Sequence, residues 1–256
     1  MNPKYEFTGE QKKVASSDGT THIVRRIRCL IYIRRHGVKP GDLGGWIEND
    51  DNLYQNGTDA WVAGEAIVFD KAKVTSDAPV CGNAQVYHHA EVCGSAIVTD
   101  DAKVFGVTHE VSGSKYASIS CPTINGCAIV SDRAKIYGRN EVCSFARVYG
   151  NAEIRGAANV DGGTVCDNVI LMDKCHVTNN ATLREGVIMA DESVVESGLV
   201  AGNVTMLHRA VIKTAGDVIG NARLILDAVI DGWGTVDGDN LVIRDNIYVE
   251  GKFPKN

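Results

Sequence analysis

The chain has 256 residues, 44% apolar and 23% charged, so it carries enough apolar mass for a sizeable core and lies outside the disordered class. Its apolar runs reach about five residues, as at Cys29-Leu30-Ile31-Tyr32-Ile33, well short of the ~20 that a membrane-spanning helix needs. The net charge of -6 is uneven: residues 1–40 hold 9 Lys/Arg against 3 Asp/Glu, and residues 41–256 hold 17 against 29.

The N-terminal 60 residues read as a small β cap. Thr20 to Ile33 has the Ile, Val and Tyr content of a strand, and Gly41 to Gly45 forms a tight turn that leads Trp46 over the first coil of the rod. Arg25, Arg26, Arg28, Arg34, Arg35 and Lys39 cluster here. Arg25, Arg28 and Arg34 are candidates to hold a nucleotide-like anion; alternatively the cluster is a solvated strand pair that faces the acidic remainder of the chain. The first residues, Met1-Asn2-Pro3-Lys4-Tyr5-Glu6, have no apolar signal core. With eight cysteines and no Cys-x-x-Cys spacing, reduced thiols in a cytoplasmic protein are the simplest expectation.

From residue 61 a period of six takes over. Val62, Val68, Val74, Val80, Val86, Val92, Val98 and Val104 recur in step with Ala66, Ala72, Ala78, Ala84, Ala90, Ala96 and Ala102. Six residues are about 1.67 helical turns, so a helix would scatter these side chains around its axis. Three short strands per coil of about 18 residues put every Val inward from a flat side and every Ala inside a corner. Gly82-Asn83, Gly150-Asn151 and Gly220-Asn221 precede corner alanines and tolerate the positive φ of a bend. An 18-residue coil stacks Phe69, Tyr87 and Phe105 as an outward aromatic ladder and sets Lys73 beside Glu91.

The period breaks in an excursion at 106–123, where His109, Glu110, Lys115 and Tyr116 are candidates to line a site; otherwise it is a surface loop. A second run covers Val130, Ile136, Val142, Val148, Ile154 and Val160, with Asn140 standing in the small position. A less regular stretch passes through Val177, Leu183, Met189 and Val195. The last run is Met206, Ile212, Val218, Leu224, Ile230, Val236, Val242 and Tyr248. The expected fold is thus all-β: a cap over 1–60, a single-stranded parallel β-helix over 61–250 of roughly nine coils, and a tail at 251–256. Outward apolar ladders, Leu207-Ile225-Ile243 and Val211-Val229-Ile247, are expected to pack against another copy of the chain, or beneath the N-terminal segment or the excursion.

The aliphatic–small hexad over about 61–250 resembles the hexapeptide-repeat superfamily of left-handed parallel β-helices. Lys4-Tyr5-Glu6-Phe7-Thr8-Gly9-Glu10, Arg25-Arg26-Ile27-Arg28, Gly41-Asp42-Leu43-Gly44-Gly45-Trp46-Ile47-Glu48, Asn52-Leu53 and Trp61-Val62 are similar to the start of the YdcK-like bacterial and phage proteins, which are labelled acetyltransferases by fold analogy. The resemblance implies a phage or prophage protein, a trimer first and a dimer second. It also implies an acyl-CoA-dependent acyltransferase with acetyl-CoA as cofactor and a His as general base, for which His88, His89 and His109 are the first candidates and His176 and His208 the others. Against that stands a non-catalytic binding or scaffold protein for a host protein or an anionic ligand, which a regular solenoid with few convergent polar groups suits. A third reading, an acidic mimic of nucleic acid, is weakened by Lys and Arg interspersed through the rod. No metal-ligand spacing stands out, since His88-His89 by itself does not make a site.

Overall fold

A computed structural model describes residues 3–109, 118–214 and 216–253; the side chains of 107–109, 118–120 and 179 lie outside the description. The chain divides into two compact units, Met1–Arg139 and Asn140–Asn256. Both are parallel stacked coils of a β-solenoid, with about 11 turns in total. No helix among the described residues is long and apolar enough to cross a membrane.

In the first unit, β1 (Tyr5–Ala15) and β2 (Thr21–Cys29) form an antiparallel hairpin, and β2 continues antiparallel onto β3 (Leu43–Ile47). β3 is already part of the coil, because Trp46 and Ile47 pair in parallel with Ile67 and Val68. The coil therefore begins before residue 61. Three inward columns run along it. They are Ile47-Val68-Val86-Val104-Ile136, Leu53-Val74-Val92-Ile124 and Val62-Val80-Val98-Val130. Every member is fully buried, and each column is one side of a three-sided coil. The corner alanines from Ala60 to Ala102 are buried as well.

The broken register has a simple cause. Ile124 stands next to Val92 and Val130 next to Val98, so the excursion adds residues to one turn and the hexad resumes at Ile124. Val107–His109 and Ser118–Ser120 pair antiparallel, which makes the root of the excursion a hairpin; residues 110–117 lie outside the described residues.

The second unit repeats the three columns with looser spacing: Val142-Val160-Val177-Val195-Ile212-Ile230-Ile247, Val148-Val165-Leu183-Val200-Val218-Val236-Phe253 and Ile154-Leu171-Met189-Met206-Leu224-Ile243. Inward Val165, Leu171 and Val200 here, with Ile47, Leu53 and Ile124 in the first unit, bring the count above nine turns. The final run is corrected at its end. Val242 and Tyr248 are exposed, whereas Ile243 is buried beside Leu224. The extra residue is absorbed at Asn240, which adopts φ 61, and it moves the inward position by one.

The corners explain the Asp content. Asp100, Asp132, Asp167, Asp173 and Asp191 all sit at φ of 55–60, where a short polar side chain is tolerated. Four of these carboxylates serve the next coil: Asp100 accepts from the Asp132 N–H at 3.3 Å, Asp167 from the Glu185 N–H at 3.0 Å, Asp173 from the Asp191 N–H at 3.3 Å and Asp191 from the His208 N–H at 2.7 Å. Gly82, Gly150 and Gly220 take the same left-handed conformation, but their Asn neighbours do not. Those Asn instead build amide ladders, Asn83 to Asp101 at 3.0 Å and Asn203 to Asn221 at 3.0 Å. Asn140 does the same from the small position, its amide donating to the Ala158 carbonyl at 3.2 Å.

The hairpin lies along one coil face. Phe69, Tyr87, Phe105 and Tyr137 stack with centroid spacings of 4.8, 4.9 and 5.0 Å, and Val14 and Val24 pack over the first of them. The expected aromatic ladder thus points out of the coil but not into solvent at Phe69 and Tyr87. Each stacked pair adds about 0.5–1.5 kcal/mol beyond area burial. Trp46 is buried, with its indole N–H on Glu65 at 2.9 Å and Lys12 4.2 Å from the ring centroid.

Lys4 closes the end of the coil. It is fully buried, and its ammonium donates to the Tyr54 carbonyl and, at 2.9 Å, to the Ala60 carbonyl. Burial lowers its pKa to about 8, only partly offset by Asp59. Between pH 8 and 10.5 the unfolded chain keeps this proton and the folded chain has released it, so Lys4 adds stability as pH rises through that window. Comparing wild type with Lys4→Met in urea from pH 7.5 to about 10 is expected to show the difference moving steadily in the wild type's favour. A flat difference rules out the depressed pKa.

Candidate functional site

An open cleft of about 880 Å³ lies in the first unit. One wall is the short turn Asp50–Asn52. Asn49 caps it by accepting from the Asp51 N–H at 2.9 Å, while Asn52 reaches back to the Asn49 N–H at 3.0 Å. Tyr5 and Gln55 both donate to Asp50, at 2.9 and 3.3 Å, and fix its carboxylate. Tyr54, about half exposed, forms the lip.

The opposite wall is built from outward positions of successive coils. Lys73 and Glu91 are direct cross-strand neighbours, as the 18-residue period requires, and Lys71 and His89 flank them. His89 is half-buried, and burial, reinforced by the positive charge of Lys71, pushes its pKa down. Both effects favour the neutral imidazole, the form able to accept a proton.

A half-buried clasp meets the cleft at Asp70. The His22 ring nitrogen Nδ1 lies 3.1 Å from Glu48; Glu48 accepts from the Asp70 N–H at 2.6 Å; and the Asp70 carboxylate lies 3.0 Å from Nδ1 of His88. The clasp thus runs from His22 on the hairpin through Glu48 and Asp70 to His88 on successive coils. His22 also leans on Phe69 at 5.1 Å, and His88 on Tyr87 at 5.0 Å.

This corrects the sequence expectation for His88. It takes a corner position with φ 54, but its side chain is buried rather than outward. The hairpin covers this corner, and Asp70 satisfies the ring. His88 and His89 are adjacent in sequence and have opposite fates, one in the clasp and one in the cleft. His109 lies on Val107–His109 opposite Ser118, with its side chain outside the description, and Glu110, Lys115 and Tyr116 fall outside the described residues altogether. His208 is exposed, and its Nδ1 accepts from the Leu226 N–H at 3.2 Å, so it acts as a corner acceptor as the aspartates do.

The basic residues are not gathered into an anion site. Arg25 stacks 3.8 Å over Phe7 and donates to the Glu48 carbonyl at 2.8 Å, and Arg28 pairs with Glu6 at 3.4 Å. Arg26 reaches Glu65 at 2.9 Å, and Arg35 reaches Asp77 at 3.1 Å. Arg34 is exposed at the start of the single turn Arg34–His36. Three of the six, Arg26, Arg28 and Arg35, thus pair with carboxylates of their own chain. Glu65 is the main recipient. Burial raises its pKa, but hydrogen bonds from Trp46, Lys12 and Arg26 outweigh that and hold its carboxyl below the usual range.

The apolar ladders are shorter than the period implies. Ile243 and Ile247 are not outward: they stand in the inward columns beside Leu224 and Ile230. The one-residue slip at Asn240 turned them. Leu207, Ile225, Val211 and Val229 do lie outward and are half-buried. None of the eight cysteines is in a disulfide; burial pushes Cys175 up to about 12, while Cys143 reaches about 11 through burial and the adjacent Asp161. No group of three metal-ligating side chains occurs among the described residues.

Sequence reasoning picked out His89 and the Lys73–Glu91 rung but missed Asp50, Asp51, Tyr54 and Lys71. The signal for the first two was the polar turn Asn49-Asp50-Asp51-Asn52, which reads as a mere loop until Asn52 is known to be buried. Comparison of the sequence with protein-family models and with curated proteins returns no match.

Proposed function

We propose that this chain is a non-catalytic binding solenoid whose first unit takes a small polar ligand in the cleft between the Asp50–Asn52 turn and the Lys71–Lys73 rung. One observation carries this reading: the cleft brings together acceptors (Asp50, held by Tyr5 and Gln55, and Glu91), donors (Lys71, Lys73) and an aromatic lip (Tyr54). Such a site recognises by hydrogen bonding without needing any group to move. A phage or prophage origin belongs to the same reading and rests on the resemblance of the N-terminal segment. Self-association through Leu207, Ile225, Val211 and Val229 also belongs to it, and sedimentation of the unmodified protein reads that directly.

A second reading, acyl transfer from acetyl-CoA, is favoured by one specific feature, the neutral imidazole of His89 in the same cleft. Thermal unfolding separates the two. A ligand that binds only the folded state raises the midpoint, by mass action. On the binding reading, millimolar acetyl-CoA leaves the midpoint unchanged and His89→Ala behaves as wild type towards it. A rise with acetyl-CoA that is lost in His89→Ala overturns the binding reading in favour of the enzyme.

A further inference from the structure

The second unit holds a different opening, independent of the cleft and of its proposed role. At Asp161-Gly162-Gly163 both glycines adopt positive φ, 80 and 73, and the strand Asn159–Val165 is irregular at this point. Two successive corner residues therefore carry no side chain. The result is an open notch of about 610 Å³ with a bare backbone shelf.

The groups around the shelf are not those that folding alone requires. Phe145 lines it and is 77% exposed, so its ring contributes almost nothing to the core. Arg147, also exposed, lies on an outward rung beside Thr164, which in turn lies beside Thr182. A guanidinium and two hydroxyl-bearing positions thus line up next to an open aromatic face. Asp161 completes the rim. It accepts from the Ser144 hydroxyl and, at 3.4 Å, from the Cys143 thiol, which orients its carboxylate at the notch wall.

Each of these groups asks for a particular ligand part. An open aromatic face, with its negative π cloud, attracts the C–H face of a sugar ring. An exposed guanidinium matches a carboxylate or sulfate in a two-pronged fashion. A carboxylate with two hydroxyl-bearing neighbours is suited to ring hydroxyls. We propose that this notch binds an acidic saccharide, with the sugar ring on Phe145, its anionic group on Arg147 and its hydroxyls on Asp161, Thr164 and Thr182.

Calorimetric titration of the full chain tests this with four probes: tetragalacturonate, a sulfated chondroitin tetrasaccharide, neutral maltotetraose and AMP. One of the two acidic sugars is expected to bind in the millimolar range or tighter, and maltotetraose about tenfold more weakly. Which acidic sugar binds distinguishes a uronate from a sulfated source. Phe145→Ala and Arg147→Ala are each expected to weaken binding by about tenfold or more without moving the thermal midpoint, because both side chains are exposed. The proposal is overturned if neither acidic sugar binds, if both variants bind as wild type, or if AMP binds more tightly than the sugars. Because the notch and the cleft lie in separate units, failure here leaves the reading of the cleft untouched.

Discussion

Replacing Asn52 with alanine is expected to cost the first unit about 3–5 kcal/mol of unfolding free energy, one of the two largest single losses foreseen for this chain. Asn52 is fully buried and uses its whole side chain. Its Oδ1 accepts from the Glu48 N–H at 3.1 Å and the Asn49 N–H at 3.0 Å. Its Nδ2 donates to the Asp70 and Ala72 carbonyls, both at 2.9 Å. Alanine removes all four bonds and supplies no substitute; the Glu48 N–H keeps the Val68 carbonyl at 3.2 Å, but the Asn49 N–H and the Asp70 and Ala72 carbonyls lose the side chain that served them. Asn52→Asp fares little better, since a carboxylate keeps the two acceptor bonds but faces two carbonyls with no proton to offer. Chemical denaturation checks both variants, and a loss below about 1 kcal/mol for Asn52→Ala contradicts this account. The cleft loses its wall at the same time, so any ligand of the cleft is expected to be lost with the turn.

Gly45→Ala is expected to be comparably severe, at about 3 kcal/mol or more, for a steric reason. A Cβ there meets the Ala66 carbonyl oxygen at 2.6 Å and Cγ1 of Val62 at 2.7 Å. Neither neighbour is free to yield, because the Ala66 carbonyl accepts from the Trp46 N–H at 2.9 Å and Val62 is fully buried. Glycine is thus required here for close approach, with β3 pressed against the next coil. Gly57→Ala is the contrast. Its φ is +66 but nothing lies within 4 Å, so only the left-handed backbone penalty of about 1–2 kcal/mol applies. Thermal midpoints of the two variants should therefore separate clearly, and equal midpoints would falsify the close-approach argument.

Both variants bear on the same piece of architecture. The hairpin, β3 and the Asp50–Asn52 turn are joined to the coil by Asn52, Lys4 and the His22-Glu48-Asp70-His88 clasp. These are polar connections made by side chains to groups at least 18 residues away in sequence, or to backbone carbonyls. They tie the walls of the cleft to the coil, which is itself held by aliphatic columns. Recognition chemistry is consequently confined to outward rungs and corners, where side chains are not needed for packing.

Much of this was legible in the residues themselves. A Val every six positions with an Ala between admits only a coil of short sides, because the inward position is set by chain geometry that repeats locally. The columns Val62-Val80-Val98 and Val68-Val86-Val104 arise directly from it, as do the Phe69-Tyr87-Phe105 stack and the Lys73–Glu91 rung. The period did not determine which way each corner turns or what covers it. His88 and His89 are indistinguishable in sequence; the hairpin, arriving from residues 5–29, buries the first and leaves the second in the cleft. Ile243 and Val242 are equally good aliphatics, and a single left-handed residue at Asn240 chooses Ile243 for the interior. The sequence left the basic cluster open between an anion site and its own chain's acidic residues; which carboxylates Arg26, Arg28 and Arg35 meet is decided by the fold. Local periodicity fixes the coil because each hexad repeats the same short-range geometry. The sites are decided by the tertiary structure, because their energies come from groups that only the stacking of coils and the folding-over of the cap bring together.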